Sequence, residues 1–160
     1  MRLTLREQKP SGSWRPRPVD RSDVPALGAL MLAAYRKTVD DEGETEADAV
    51  AEVERTLAGE YGPFLADCSM AVDDDARIGG ASLVTLWDGR PILAHLVVHP
   101  EAKRRGLGTF LMATSGNALV RAGYAHVDLF VTEENEPAVS LYRKLGFRVV
   151  DRLTDPSLGF

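Results

Sequence analysis

The stretch Val98-His-Pro-Glu-Ala-Lys-Arg-Arg-Gly-Leu-Gly-Thr109 constrains this chain more than any other. An apolar run, Ile92 to Val98, leads into it, and an amphipathic pattern beginning at Leu107 leads out. The spacing predicts a strand that feeds a helix through a turn rich in backbone donors and positive charge. The first amides of a helix have no partner within it, and the macrodipole places about half a positive charge there, so the turn suits an anion. Gly106 and Gly108 have no Cβ, which lets a ligand approach the main chain. Lys103, Arg104 and Arg105 add cationic side chains beside them. The turn reads as a phosphate cradle.

The elements on either side follow from periodicity and caps. Residues 1–21 are rich in Arg; Leu3 and Leu5 alternate as a short edge strand would, and a first strand is expected around Arg15 to Val19. Otherwise the basic N-terminal stretch reads as a solvated, partly mobile terminus. Val24, Leu27, Met31 and Ala34 repeat at helical spacing behind Ser22 or Asp23 as cap and end near Tyr35. A second helix, capped by Thr45 and stopped by Gly59, has Ala47, Val50, Val53 and Leu57 as its apolar stripe. It lies in an acidic segment, Asp40 to Glu54, that carries no Lys or Arg. That segment reads either as a solvated face or as a wall that attracts a cationic substrate.

Strands follow at Met70–Val72, at Ile78–Trp87 with an irregularity near Gly79 and Gly80, and at Ile92–Val98. Asp88-Gly89 is the hairpin turn between the last two. Beyond the cradle, Leu107, Leu111, Ala118 and Ala122 mark a helix ended by Gly123. The alternation of Val127, Leu129 and Val131 marks a strand parallel to Ile92–Val98 in a βαβ unit. Asn135 and Pro137 open a last helix, Gly146 closes it, and Phe147–Val150 reads as a final strand. Leu153 to Phe160 reads as either one more edge strand or a tail.

At 160 residues one domain is the natural expectation, and a formal net charge of −5 argues against general nucleic-acid binding. No apolar run has the length of a membrane span, so no membrane partner is expected. Cys68 is the only cysteine, which suits a packing role and a reducing cytoplasm. Neither metal-ligand spacing nor a Ser-His-Asp or Cys-His nucleophile set is present, so neither a metal nor a covalent intermediate is expected.

Val98-x-Pro100-x-x-Lys103-x-x-Gly106-x-Gly108 resembles the coenzyme-A signature of the GCN5-related N-acetyltransferase (GNAT) superfamily. Asn135-x-x-Ala138-x-x-Leu141-Tyr142-x-x-x-Gly146-Phe147 is similar to the last helix and strand of that superfamily. Either motif alone is weak, and the pair on the expected elements is specific. The resemblance is strong over residues 68–151, extends in pattern over 15–67, and leaves 1–14 as an N-terminal extension to a single domain of 15–160. It implies an α/β (α+β) fold: a mixed, mostly antiparallel central sheet flanked by helices, with a βαβ coenzyme-binding core.

It also implies acetyl-CoA as donor, with no metal, and a primary amine as acceptor. The backbone amides of Arg104, Arg105, Gly106, Leu107, Gly108 and Thr109 would hold the pyrophosphate. Main-chain groups of Leu96, Val97 and Val98 would pair with the pantetheine arm in a gap between two splayed parallel strands. Lys103 stands where the superfamily usually has Gln or Arg. Tyr142 matches the tyrosine that protonates the departing thiolate, against the alternative of a packed helix tyrosine. Asn135 either contacts the coenzyme or only caps its helix.

A glutamate that serves several relatives as general base has no counterpart, and the corresponding region holds Ile92. His95 is a candidate base, or else a satisfied sheet histidine; Glu133 and Glu134 are candidates for the base or for orienting the amine. His99 belongs to the turn, and His126 is given no role. The reading is an N-acetyltransferase acting by direct attack in a ternary complex, with a small cationic amine slightly favoured as acceptor. The rival is a non-catalytic acyl-CoA-binding sensor or interaction module. A nucleotide-triphosphate enzyme is distant, because the turn lacks the Gly-Lys-Ser/Thr ending of a P-loop. Dimers are common in that superfamily, so the resemblance admits a homodimer.

Overall fold

The computed structural model describes residues 1–38 and 41–150. Asp40 and the segment from Leu153 to Phe160, on which two of the expectations above fall, lie outside the described residues.

The chain runs β1 (Arg2–Thr4), β2 (Pro16–Pro18), α1 (Val24–Tyr35), α2 (Glu46–Ala58), β3 (Met70–Asp74), β4 (Arg77–Trp87) and β5 (Arg90–Val98). It continues through α3 (Leu107–Arg121), β6 (His126–Asp128) and α4 (Glu136–Lys144). The strands form one sheet in the order β1-β6-β5-β4-β3-β2. Every neighbouring pair is antiparallel except β5 and β6. This is the mixed, mostly antiparallel sheet expected from the sequence.

Local chemistry accounts for most of the boundaries. Thr45 and Asp48 form a reciprocal capping box at the start of α2, and Gly59, at φ 85°, closes it in the left-handed region. Asp88 and Gly89 both have positive φ, the I′-type geometry that joins β4 to β5. The β3–β4 register slips between Val72 and Asp73, opposite Gly79, as the glycine pair suggested.

The sheet separates two apolar clusters. On one face α1 and α2 cover Ala71, Ala81, Leu83 and Val97. On the other, α3 and the half-buried Tyr142 and Leu145 of α4 pack with Val84, Leu93, Val127, Leu129 and Phe147. The helices approach closely where glycine permits it. A Cβ on Gly80 would stand 2.9 Å from Leu111, and one on Gly28 would stand 2.5 Å from Val50 Cγ2 and 2.9 Å from its backbone.

The structure differs from the sequence reading in four places. In α2 the buried residues are Ala49, Val53, Thr56 and Leu57; Ala47 is exposed, so the stripe is rotated toward Ala49. Ala122 lies exposed past the end of α3. The expected Val127–Val131 strand leaves the ladder after Asp128. Phe147–Val150 contributes only an isolated antiparallel bridge, Arg2 with Arg148.

The N-terminal stretch does not stand apart from the fold. Residues 2–4 lie between β6 and Arg148, with Arg2 exchanging both backbone hydrogen bonds with Arg148 at 2.8 and 2.9 Å. The Arg2 guanidinium meets Asp128 with two hydrogen bonds of 2.7 and 2.8 Å. Leu3 and Leu5 pack on the α3-side cluster, and Trp14 lies against Phe110 with ring centroids 5.3 Å apart. Residues 1–5 and Trp14 are thus tied to the fold, while Arg6, Lys9, Arg15 and Arg21 are exposed, as the Arg-rich composition suggested.

Gly28→Ala is expected to destabilise the protein by about 1–2 kcal/mol in equilibrium denaturation. The helix-propensity gain of alanine is outweighed by the displacement of the α2 backbone.

Candidate active site

The central feature is a parting of strands. The only ladder pair between β5 and β6 among the described residues is Ile92 with Asp128. Beyond it β5 continues to Val98, while Leu129 turns its backbone to Met1: Leu129 N donates to Met1 O at 2.9 Å. The main chain of Leu96, Val97 and Val98 therefore runs past the point where its parallel neighbour has left. The expected splay between these strands is present, and it begins earlier than the alternation of Val127 to Val131 indicated.

At the end of β5 the chain makes the cradle. His99 Nδ1 accepts from Glu101 N at 3.2 Å and caps a short 3-10 turn, which confirms His99 as a turn residue. Ala102, almost fully buried, anchors the turn in the core. Arg104 and Gly106 both have positive φ, 64° and 78°. For Arg104 that conformation is costly, and such strain persists where the surroundings demand it. Gly106 is the N-cap of α3 and supplies no side-chain acceptor; the first helical bond is Phe110 N to Gly106 O. The amides of Leu107, Gly108 and Thr109 are the ones a helix leaves unused internally.

A Cβ on Gly106 would meet nothing within 4 Å, and one on Gly108 would meet only Val98 Cγ2 at 3.7 Å. Packing therefore does not demand glycine at 108, and the open space beside it would admit a group to the main chain. Lys103, Arg104 and Arg105 are exposed around this end, with Arg105 3.5 Å from Asp74.

The ionisable candidates separate onto the two faces. Tyr142 is half-buried on α4 and packs edge-on against Phe147, with ring centroids 5.7 Å apart, on the α3 side of the sheet. Asn135 caps α4, its Oδ1 accepting from Ala138 N at 3.2 Å. Glu133 and Glu134 lie in the exposed turn before α4. His95 pairs with Leu83 across the β4–β5 ladder and shares the α1–α2 face with it. A register slip leaves Ala94 without a partner on β4, between the pairs of Leu93 and His95. His95 and Tyr142 thus lie on opposite faces of the sheet.

His95 is not an isolated sheet histidine. Its Nδ1 lies 3.4 Å from the Tyr35 hydroxyl, and its Nε2 lies 4.0 Å from Glu52 Oε1. Glu52 Oε2 accepts from Arg55 at 2.8 Å and from the Tyr61 hydroxyl at 2.9 Å. Burial holds the His95 pKa below its ordinary value, partly opposed by the Glu52 charge. The sequence reading did not single out Tyr35, Glu52 or Tyr61. One signal was available for Glu52: it lies one helical turn from both Ala49 and Thr56, at the margin of the buried stripe, whereas Glu54 points away from it. Cys68 is buried, and burial pushes its thiol pKa up, as a packing cysteine requires.

Residues 27–147 match the model of the acetyltransferase (GNAT) family. The chain belongs to the GNAT family. Among its relatives, the mycothiol acetyltransferase of Mycolicibacterium vanbaalenii is 37% identical over 68% of this chain and 35% of its own length. The peptidyl-lysine N-acetyltransferase YiaC of Escherichia coli is 35% identical over 49% of each chain. This GNAT chain therefore matches a half or less of the length of each of these two relatives. Among solved structures, the PaiA N-acetyltransferase of Thermoplasma acidophilum, determined with coenzyme A, superposes with a TM-score of 0.70. It is 17% identical, and the match covers 89% of this chain and 94% of that one. No helix among the described residues is long and apolar enough to cross a membrane.

The depressed pKa of His95 fixes the sign of one pH effect in this GNAT domain. The unfolded imidazole titrates near 6.5 and the folded one lower, so between the two the unfolded chain binds more protons. Stability is therefore undiminished above the unfolded value and falls as the pH drops below it. Equilibrium denaturation at about pH 7.5 and about pH 5.5 should show the loss, at no more than about 1.4 kcal/mol per pH unit. His95→Gln should remove that part of the slope.

Proposed function

We propose that this GNAT domain is an N-acetyltransferase that moves an acetyl group from acetyl-CoA to a primary amine by direct attack in a ternary complex. The observation that carries the reading is the junction of two features on one strand. The β5 edge is left open beyond Ile92, and it runs directly into a helix N-terminus capped by Gly106. An extended, partly peptidic arm ending in a diphosphate needs those two surfaces in that order.

The residues fit such a donor. The amides of Arg104 to Thr109 would bind the pyrophosphate, with the Lys103–Arg105 charges adding attraction at the rim. The main chain of Leu96 to Val98 would align the pantetheine arm. The coenzyme supplies an activated acyl thioester. A β5 amide beside the bulged Ala94 or at Leu96–Val98 would donate to the carbonyl oxygen as charge develops on it. Tyr142 would deliver a proton from the α4 side, where a phenol stays neutral and able to donate. His95, on the other face, would receive the proton that the amine must lose. Glu133 is the further candidate for orienting the amine, and Asn135 for a coenzyme contact in addition to its cap. Holding amine and thioester together supplies a large part of the rate.

A cationic amine is favoured as acceptor by the acidic surface of α2, which borders the His95 side of the sheet. The E. coli relative is named for a peptidyl lysine, also an amine. A reducing cytoplasm is the setting that suits the single, buried Cys68.

Thiol release from acetyl-CoA, measured across a panel of small amines, amino acids, aminoglycosides and lysine peptides, tests the reading. Acceptor-dependent release is expected. Tight coenzyme binding with no release from any amine would favour the acyl-CoA sensor, for which the absent glutamate at Ile92 is the one supporting observation. Two variants sharpen the test. Tyr142→Phe should lower kcat on the order of 100-fold with little change in coenzyme affinity. Gly108→Val should fold normally and weaken coenzyme binding by about tenfold or more.

A further inference from the structure

The pairing of His95 with a residue from the opposite layer raises a question that the family match leaves open. A buried imidazole is a poor base, because the cation it must become is poorly solvated. Here Tyr35 and Glu52 reach the ring from two helices, and two further side chains hold Glu52. Tyr35 comes from α1, Glu52 from α2, and Tyr61 from the loop that follows α2; β4 opposes the ring with the apolar Leu83. Arg55, one turn beyond Glu52, completes the group.

The geometry fixes which carboxylate oxygen does what. Arg55 and Tyr61 both donate to Glu52 Oε2, and this leaves Oε1 as the atom turned to His95 Nε2 at 4.0 Å. That distance is one of charge attraction rather than of a hydrogen bond. On the opposite edge of the ring, the Tyr35 hydroxyl lies 3.4 Å from Nδ1. A carboxylate near Nε2 favours the tautomer with its proton there, so the lone pair is left on Nδ1. Glu52 is itself partly exposed, with about a third of its side chain reaching solvent.

We propose that Glu52 is a positioning residue for His95, fixing its tautomer and supplying the counter-charge that lets it act as the base for the incoming ammonium. This rests on the acetyltransferase reading above. The proton route balances. The ammonium proton passes to the Tyr35 oxygen while the Tyr35 proton passes to His95 Nδ1. The products are a neutral amine, an unchanged Tyr35 and an imidazolium facing the Glu52 carboxylate. After acyl transfer the imidazolium proton is lost to solvent. The carboxylate that the strand position of Ile92 lacks is thereby supplied from α2, acting through an imidazole rather than directly.

The test uses Glu52→Gln, which keeps shape and removes charge, beside Glu52→Asp and His95→Gln. The chain has three histidines, so the His95 ring signals can be assigned by NMR through their loss in His95→Gln. In Glu52→Gln the His95 titration midpoint should fall, because the charge that favours the imidazolium is gone. An unmoved midpoint overturns the proposal whatever the activity. With an amine substrate, Glu52→Gln should lower kcat about tenfold or more and shift the acid limb of the kcat/KM profile to lower pH. Glu52→Asp should retain the limb near its parent position. A fall in kcat with no movement of the limb would mark a structural role only and would also overturn it. If the parent releases no thiol with any amine, the acetyltransferase reading fails and the catalytic part of this proposal fails with it. If the parent turns over and His95→Gln is as active as the parent, the reading stands and the proposal falls.

Discussion

A sheet that opens in its own middle is the constraint on which the rest of this structure depends. Past Ile92, β5 has lost its parallel neighbour, and the backbone groups of its last residues face a gap rather than a strand. An unpaired strand edge is normally a hazard, and proteins cover or distort it. Here it is kept in the interior of the architecture, flanked by α1 and α2 on one face and by α3 and α4 on the other. The gap is held open because each wall is fastened elsewhere. β5 is secured along β4 as far as Val98, and the chain after β6 is secured to the N-terminal strand through Leu129 and Met1.

The charges follow the same division. The cationic turn at 103–105 stands at the far end of β5, where the open edge meets the N-terminus of α3. The acidic helix α2 stands across the sheet, over His95. The cationic charges thus stand beyond the end of β5 and the acidic ones over its α2-covered face. A donor carrying phosphates and an acceptor carrying an ammonium group would enter from different sides without competing. Tyr142 and His95 repeat this on a smaller scale, one on each face of the sheet.

What the sequence disclosed was local. The strand-turn-helix at Ile92–Thr109, the Thr45 cap, the Asp88-Gly89 hairpin and the Gly79 irregularity were legible because each depends on neighbours within a few residues. The two motifs added the coenzyme-site residues by resemblance. What escaped depends on partners far along the chain. The placement of residues 2–4 between β6 and Arg148 cannot be read from Leu3 and Leu5, which only permit a strand. The early end of β6 at Asp128 cannot be read from Val127, Leu129 and Val131, whose alternation continues past it. The inward turn of Glu52 was hidden because an acidic helix face shows in sequence as solvated, and one carboxylate at its margin changes no average.

The N-terminal strand also carries a kinetic consequence. Arg2 and Asp128 are 126 positions apart, and their pairing helps to fasten one wall of the opening. A contact of that span closes a long loop, and non-local pairings of this kind are slow to form. During synthesis residues 2–4 precede their partner strand, which emerges only after α1, α2, the β3–β5 meander and α3. The cradle at 99–109, built from adjacent segments, has its parts assembled well before that. The turn before α3 is therefore assembled ahead of the strand opening beside it, and the earliest of these strands is among the last to pair.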